Sequence, residues 1–231
     1  LDRMELGKVM HGARFVYNFA GVADLKEASK DPYASIELNV MGTTAVAEEA
    51  VRAKVERLLF ASTMYVYSGK GSFYRASKQA SEIIIEAYQE KYDIDFTFLR
   101  YGSLYGPRAQ DWNGLRRYVR EIVLTGRVNY PGSGQERREY IHVMDAARLS
   151  VDVLSPEYCN SAITVTGTQV MSSQELIRMI FEITGNKENV NFSTNAKEDF
   201  HYHLTPYRYK PKSATKIVPS NFIDLGQGIL E

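Results

Sequence analysis

One cysteine among 231 residues, Cys159, cannot close an internal disulfide, and no motif around it marks a reactive thiol. A packed core thiol in a reducing cytoplasm is the expectation. No apolar run reaches membrane-spanning length, and no basic segment followed by an apolar one opens the chain, so neither membrane insertion nor secretion is expected. Net charge is missing too. The 28 basic and 28 acidic side chains cancel, leaving no overall positive field to gather nucleic acid or an anionic membrane. Anionic ligands must be met by local groups. His142 and Asp145 lack the company a metal site needs, so no metal is expected. Internal repeats and low-complexity linkers are also absent. What remains is 44% hydrophobic, enough for one large domain or a domain with a small lobe.

The most informative stretch is LLFASTMYVYSGKGSFYRASKQASE, residues 58–82. An apolar strand ends in Ser62 and Thr63, a Gly-containing turn follows, and Tyr74 and Lys78 stand four residues apart in a helical pattern. Positions i and i+4 share a helix face. An ammonium beside a phenol favours the phenolate, lowering its pKa from about 10 toward the range of a general acid or base. A hydroxyl at the carboxyl end of the strand can bind the same substrate oxygen. Thr63, Tyr74 and Lys78 thus form a candidate proton-transfer group for alcohol/ketone chemistry, with hydride going elsewhere. Alone, Y-x-x-x-K fits any exposed helix; the strand, hydroxyls and turn give it context.

In this order the stretch resembles the extended short-chain dehydrogenase/reductase family of nucleotide-sugar epimerases, dehydratases and reductases. There a strand ending S-S/T-x-x-V-Y precedes a Tyr-x-x-x-Lys helix. The resemblance implies a Rossmann-like α/β fold, a doubly wound parallel sheet with a small carboxyl-terminal substrate lobe. It makes Thr63 the catalytic hydroxyl, Tyr74 the acid/base, and Lys78 its partner and a ligand of the nicotinamide ribose. Ser62 then belongs to the cofactor site, and Met64 and Tyr65 to the substrate site. By the same resemblance residues 1–107 are a partial NAD(P)-binding domain. Residues 108–231 are mainly the substrate lobe, with 143–168 returning to the first domain.

Taken in order, Leu6, Val9 and Met10 keep helical spacing up to Gly12. The run ARFVYNFAG then reads as a strand buried on both faces of a parallel sheet. Its small terminal residues suit ligand approach beyond the carboxyl end of the strand. N-F-A-G-V, residues 18–22, resembles the family segment lying along the cofactor, which implicates Phe19, Ala20 and Gly21. Asp31 and Pro32 predict the start of a helix running to about Ala53. Within it N-V-M-G-T, residues 39–43, matches the family's N-V-x-G-T and places Asn39 near the cofactor; equally, Asn39 can bond locally while Gly42 permits close packing. Strand VERLLFA leads into the catalytic stretch, whose Ser68–Phe73 connection is shorter than in relatives and leaves a more open site. A helix over 74–92 and strand DFTFLRYG follow. R-Y-G-S-L-Y-G-P, residues 100–107, resembles a loop that touches nicotinamide and adds Tyr101 and Ser103 in place of the usual Pro and Asn.

A helix over 115–124 is capped by Gly126. The segment from Tyr130 to Arg148 resembles G-x-G-x-x-x-R-D/E-Y/F-x-H/Y-V-x-D, where the Arg binds the substrate diphosphate. Arg138 fits that role, which needs a fixed fork of donors; the plainer reading is a solvated Arg137/Arg138 pair on a turn. His142 reads as satisfied in a packed strand and Asp145 as the cap of the next helix. Strand AITVTG precedes Ser172 and Glu175, a capping box. In the tail, His201, Tyr207 and Arg208 are candidate substrate contacts by the resemblance.

The 16 glycines include neither G-x-G-x-x-G nor the family's G-x-x-G-x-x-G. The family resemblance therefore implies that about 60 residues, two βα units and a third strand, are absent before Leu1. Such a chain alone is expected to be marginally stable and to hold NAD or NADP weakly, with NAD ahead of NADP. Met64 and Tyr65 stand where dehydratases place Asp-Glu, and the Cys of the epimerase-reductases is missing. That leaves a nucleotide-sugar epimerase acting at the sugar 4-position through a keto intermediate, ahead of a dehydrogenase/reductase or a non-catalytic cofactor-sensing scaffold. The partner expected is a nucleotide-diphosphate sugar. Helices near 32–53 and 74–92, apolar on more than one face, point with the family to a homodimer.

Overall fold

The computed structural model describes residues 2–193 and 203–206. Helix α1 (Arg3–Met10) is capped by Asp2, and strand β1 (Phe15–Asn18) follows. Asp24 then caps α2 (Leu25–Lys30) and Asp31 caps α3 (Pro32–Ile36), with Pro32 in the first turn where no N–H is needed. The single long helix expected from 31 to 53 is instead α3, one π turn (Glu37–Met41), and α4 (Gly42–Arg52). A π turn inserts an extra residue into the helical ladder, and such turns cluster at functional sites. Here it carries Asn39.

Strand β2 (Arg57–Thr63) runs into a 3-10 turn (Met64–Tyr67), then α5 (Ser72–Tyr92) and β3 (Asp95–Tyr101). Next come β4 (Ser103–Tyr105), α6 (Gly114–Thr125), β5 (Val128–Tyr130), β6 (Arg137–His142) and α7 (Val143–Asp152). A 3-10 turn (Pro156–Tyr158), β7 (Ser161–Val165), β8 (Val170–Ser172), α8 (Ser173–Thr184) and β9 (Val190–Phe192) complete the described elements.

Strands β1, β2, β3 and β7 pair in that order, all parallel. Alternation along the strands sends Leu58, Phe60, Phe96 and Phe98 to one face, against Met10, Ala47, Ala50 and Ile85 of α1, α4 and α5. Leu59, Leu99 and Val165 point to the other face, under Ala146 of α7 and Val153. Both faces are therefore covered, the doubly wound arrangement that the near-continuous apolarity of these strands requires. Each fully buried Leu or Phe is worth about 1.5–3 kcal/mol in transfer alone, and a one-residue slip would turn every one outward.

A second core joins α6, β5 and α8 through Ile122, Val128, Tyr130, Ile177 and Phe181. It sits beside a small sheet ordered β4-β6-β8, and β5 pairs with β9. Glu175 and Ser172 close the expected capping box. Two local expectations fail. His142, not Asp145, caps α7, its Nδ1 accepting from the Met144 N–H at 3.3 Å, while Asp145 pairs with Arg148 at 3.1 Å. The strand runs straight into this helix, so the last strand residue takes the cap. Cys159 is half-buried rather than in the core, and burial still pushes its thiol pKa up. Among the described residues no helix is long and apolar enough to cross a membrane, and no His/Cys/Asp/Glu group could hold a metal ion.

Candidate active site

The carboxyl ends of β1, β2 and β3 meet the first turns of α5. Lys78 is 5% exposed there, donating from Nζ to the Ala61 carbonyl at 2.7 Å, 4.7 Å from the Phe60 ring centre. Burial lowers its pKa from 10.5 to about 8, and the negative charge of Glu82 works against that fall. An ammonium has three donors. The Ala61 carbonyl is its sole hydrogen-bond partner among the described residues, so the others remain for a ligand.

One turn earlier, Tyr74 is 9% exposed, packed with Leu25 and Ala28 of α2. Its ring meets that of Tyr65 edge-on, centres 6.0 Å apart. Thr63 ends β2 in extended backbone, and its Oγ1 accepts from the Tyr65 N–H at 3.3 Å, starting the 3-10 turn. Tyr65 in turn leans on Gly71, whose φ of 108° and 2.8 Å from an added Cβ to the Tyr65 ring admit no larger residue. Arg75 and Gln79 on α5 tie the short connection down by bonds to the Ser68 and Val66 carbonyls. Thr63, Tyr74 and Lys78 are thus held at one strand–helix junction, with Tyr65 beside them. Met64 is fully buried, which leaves no side-chain surface there for the substrate contact expected of it.

Beyond β1, Phe19, Ala20 and Gly21 are exposed at the carboxyl edge of the sheet. Phe19, at 57% exposure, stacks on Tyr17 with centres 5.8 Å apart and lies 6.2 Å from the Tyr101 ring. Tyr101 bonds its hydroxyl to Ser150 Oγ at 2.5 Å, and burial raises its pKa. Ser103 opens β4, half-buried. Gly21 has no room for a side chain: a Cβ would lie 2.5 Å from Asn39 Oδ1 and 4.0 Å from Lys78 Nζ.

Asn39 is buried, its Oδ1 accepting from Val22 N–H at 2.7 Å, its Nδ2 donating to Val22 O at 3.0 Å and Ser77 Oγ at 2.9 Å. The π turn points the amide inward, where it clamps the loop after β1 to α5. The amide is engaged within the protein, by partners 17 and 38 residues away rather than by the local bond expected. Ser62 likewise is buried, donating to Glu82 Oε1 at 2.5 Å, so its hydroxyl serves the protein interior rather than a cofactor surface.

Arg138 stands half-buried on β6, opposite Met171 of β8. Burial raises the pKa of the Tyr118 and Tyr130 phenols, and the Arg138 charge works against that rise. Glu136 turns back into its own loop, accepting from Ser133 N–H, Ser133 Oγ and Gly134 N–H at 2.8–2.9 Å. Those bonds hold its carboxyl below the usual range although burial opposes them. The loop before Arg138 is therefore pinned, and it is not a loose turn carrying a solvated arginine pair. Arg208, His201 and Tyr207 lie outside the described residues.

Sequence reasoning missed Glu82, Arg100 and Tyr67. A buried ion pair joins Glu82 to Arg100 at 2.6 Å, and Arg100 Nη1 donates to the Tyr67 hydroxyl. The signal was present: one arginine inside the apolar strand DFTFLRYG, and one carboxylate four residues past Lys78.

A family model described as "NAD dependent epimerase/dehydratase family" matches residues 1–160. The UDP-glucuronate 4-epimerase of Thermodesulfobacterium geofontis is 24% identical over 77% of this chain and 60% of its own length. The dTDP-D-glucose 4,6-dehydratase of Mus musculus is 24% identical over 76% of this chain and 54% of its own. The chain thus spans between half and two thirds of the length of these curated relatives. In structure, the UDP-glucuronic acid 4-epimerase of Bacillus cereus, solved with UDP-glucuronic acid and NAD, superposes with a TM-score of 0.81. Identity to it is 22%, over 93% of this chain and 76% of that one.

Proposed function

Because the chain belongs to the NAD dependent epimerase/dehydratase family, as its extended short-chain dehydrogenase/reductase motifs implied, we propose that it acts as an NAD-dependent nucleotide-sugar 4-epimerase. The observation that carries this reading is the buried Lys78 ammonium, with donors to spare, one helical turn from Tyr74 and at the end of the strand that bears Thr63. In this reading the Tyr74 phenolate takes the proton of the sugar 4-hydroxyl and later returns it, and Thr63 binds the same oxygen. Lys78 keeps the phenol acidic through its charge.

The described residues fit the nicotinamide end of NAD. Phe19, Ala20 and Gly21 are exposed beyond β1, Tyr101 and Ser103 lie at the end of β3, and Lys78 keeps donors that a nicotinamide ribose would take. Bound there, NAD supplies the acceptor and donor of hydride. Arg138, with its loop pinned by Glu136, is the group we assign to the diphosphate of the nucleotide sugar. Met64 and Tyr65 bring no carboxyl group of the Asp-Glu kind that dehydratases place there, which disfavours elimination of water. The T. geofontis and B. cereus relatives, named for 4-epimerisation of UDP-glucuronate, support the same choice.

The test is to incubate the intact protein with NAD and UDP-glucose or UDP-glucuronate and follow the sugar by proton NMR. Appearance of the 4-epimer, abolished in Tyr74→Phe, supports the reading; net accumulation of NADH without an epimer would replace it with a dehydrogenase. A homodimer is part of the proposal. Tyr33, Met41 and Ile83 leave exposed apolar surface on the α3–α4 and α5 faces, and a monomer by sedimentation at micromolar concentration would count against it.

A further inference from the structure

Glu82 belongs to a buried network that joins four segments. It lies four residues beyond Lys78 on α5, so the two share a helix face. It is 3% exposed and both carboxylate oxygens are engaged: Oε1 accepts from Ser62 Oγ at 2.5 Å and Arg100 Nε at 3.0 Å, Oε2 from Arg100 Nη2 at 2.6 Å. Arg100 also lies over the Tyr67 ring, 4.6 Å from its centre. This network links β2, the 3-10 turn, α5 and β3, the elements that carry the candidate proton-transfer group.

Stability alone is a poor reason for it. Desolvating two ions can outweigh their attraction, and an apolar pair of similar volume often serves as well. We propose that Glu82 is a positioning residue for Lys78, its carboxylate fixed by Ser62 and Arg100 so that it holds the buried ammonium in its charged form. The purpose of this device rests on the epimerase reading; its physics does not. The groups facing Lys78 are Tyr74 and Glu82 on its own helix, the Ala61 carbonyl and Phe60 ring of β2, Gly21 after β1, and the Arg100 cation of β3 paired with Glu82. Among these the Glu82 carboxylate is the anion, and its charge raises the proton affinity that burial lowers.

The test is a pH titration of the Lys78 13Cε chemical shift in the 231-residue chain, the signal identified by its loss in Lys78→Met. The wild-type midpoint is expected at about 8. Glu82→Gln should lower it by about one pH unit or more, since the carboxylate that favours the ammonium is then gone, and Arg100→Gln should raise it by a clearly smaller amount, since the Arg100 cation offsets only part of that charge. Opposite directions are the signature; a merely structural role would move both midpoints the same way or not at all. Should either single variant fail to fold, the double variant Glu82→Gln, Arg100→Gln leaves no unpaired buried charge, and its midpoint should fall below wild type because the Glu82 carboxylate dominates at Lys78. An unchanged midpoint in the double variant, no shift in Glu82→Gln, or shifts of the same sign in both singles overturns the proposal. The titration needs neither substrate nor cofactor, so absence of nucleotide-sugar turnover would overturn the functional reading and leave this result standing.

Discussion

Replacing Lys78 by Met tests the electrostatics of the site through stability. The lysine pKa falls from 10.5 to about 8 in the folded chain because burial removes the ammonium from water. At about 1.4 kcal/mol for each tenfold change in proton affinity, holding the charge inside opposes folding by about 3 kcal/mol at pH 7. Since the folded value lies below the unfolded one, the unfolded chain binds the extra proton between about pH 8 and 10.5, and this contribution to stability rises with pH across that window. By pH 9.5 about 2 kcal/mol of the loss is recovered. Lys78→Met has no such group. It also loses the bond to the Ala61 carbonyl, an offset that does not vary with pH. Urea unfolding of both proteins from pH 7 to 9.5 should therefore show the wild type gaining about 2 kcal/mol relative to the variant. Curves that stay parallel within about 0.5 kcal/mol would show that Lys78 is not desolvated in solution, and the buried seat would be wrong.

In the intact protein Tyr74→Phe should lower turnover by about a hundred- to ten-thousand-fold with NAD affinity little changed, measured by steady-state kinetics and cofactor titration. Arg138→Ala should mainly raise KM for the nucleotide sugar, because a diphosphate contact remote from the reacting carbon is made in ground and transition states alike. Gly21→Ala forces a Cβ to 2.5 Å from Asn39 Oδ1 at a φ of 143° and should destabilise the chain by about 1–3 kcal/mol in urea. Ile85→Ala, which empties a fully buried position against Phe60 and Phe98, should cost about 2–5 kcal/mol by the same measurement, with the cooperativity of unfolding unchanged.

What local sequence determined here were features whose cause is local. Runs such as RLLFA and DFTFLRY became central parallel strands because uninterrupted apolarity can be buried only on both faces. Asp31 with Pro32, and Ser172 with Glu175, marked helix starts because a cap is made within one turn. Tyr74 and Lys78 could be placed on one helix face from their spacing alone. The tertiary structure decided matters that depend on partners distant in the chain. Asn39 meets Val22 and Ser77, 17 and 38 residues away, so only the folded chain could show what its amide bonds. Ser62 turns inward to Glu82, 20 residues on, while its neighbour Thr63 starts the turn beside Tyr74, a division set by which face of β2 α5 covers. Met64 is enclosed, although its position beside the catalytic hydroxyl suggested contact with substrate. Spacing can say which side chains share a face; which of them then face a ligand and which face the interior is settled by the elements packed against them, since a buried polar group must find its partner wherever the fold supplies one.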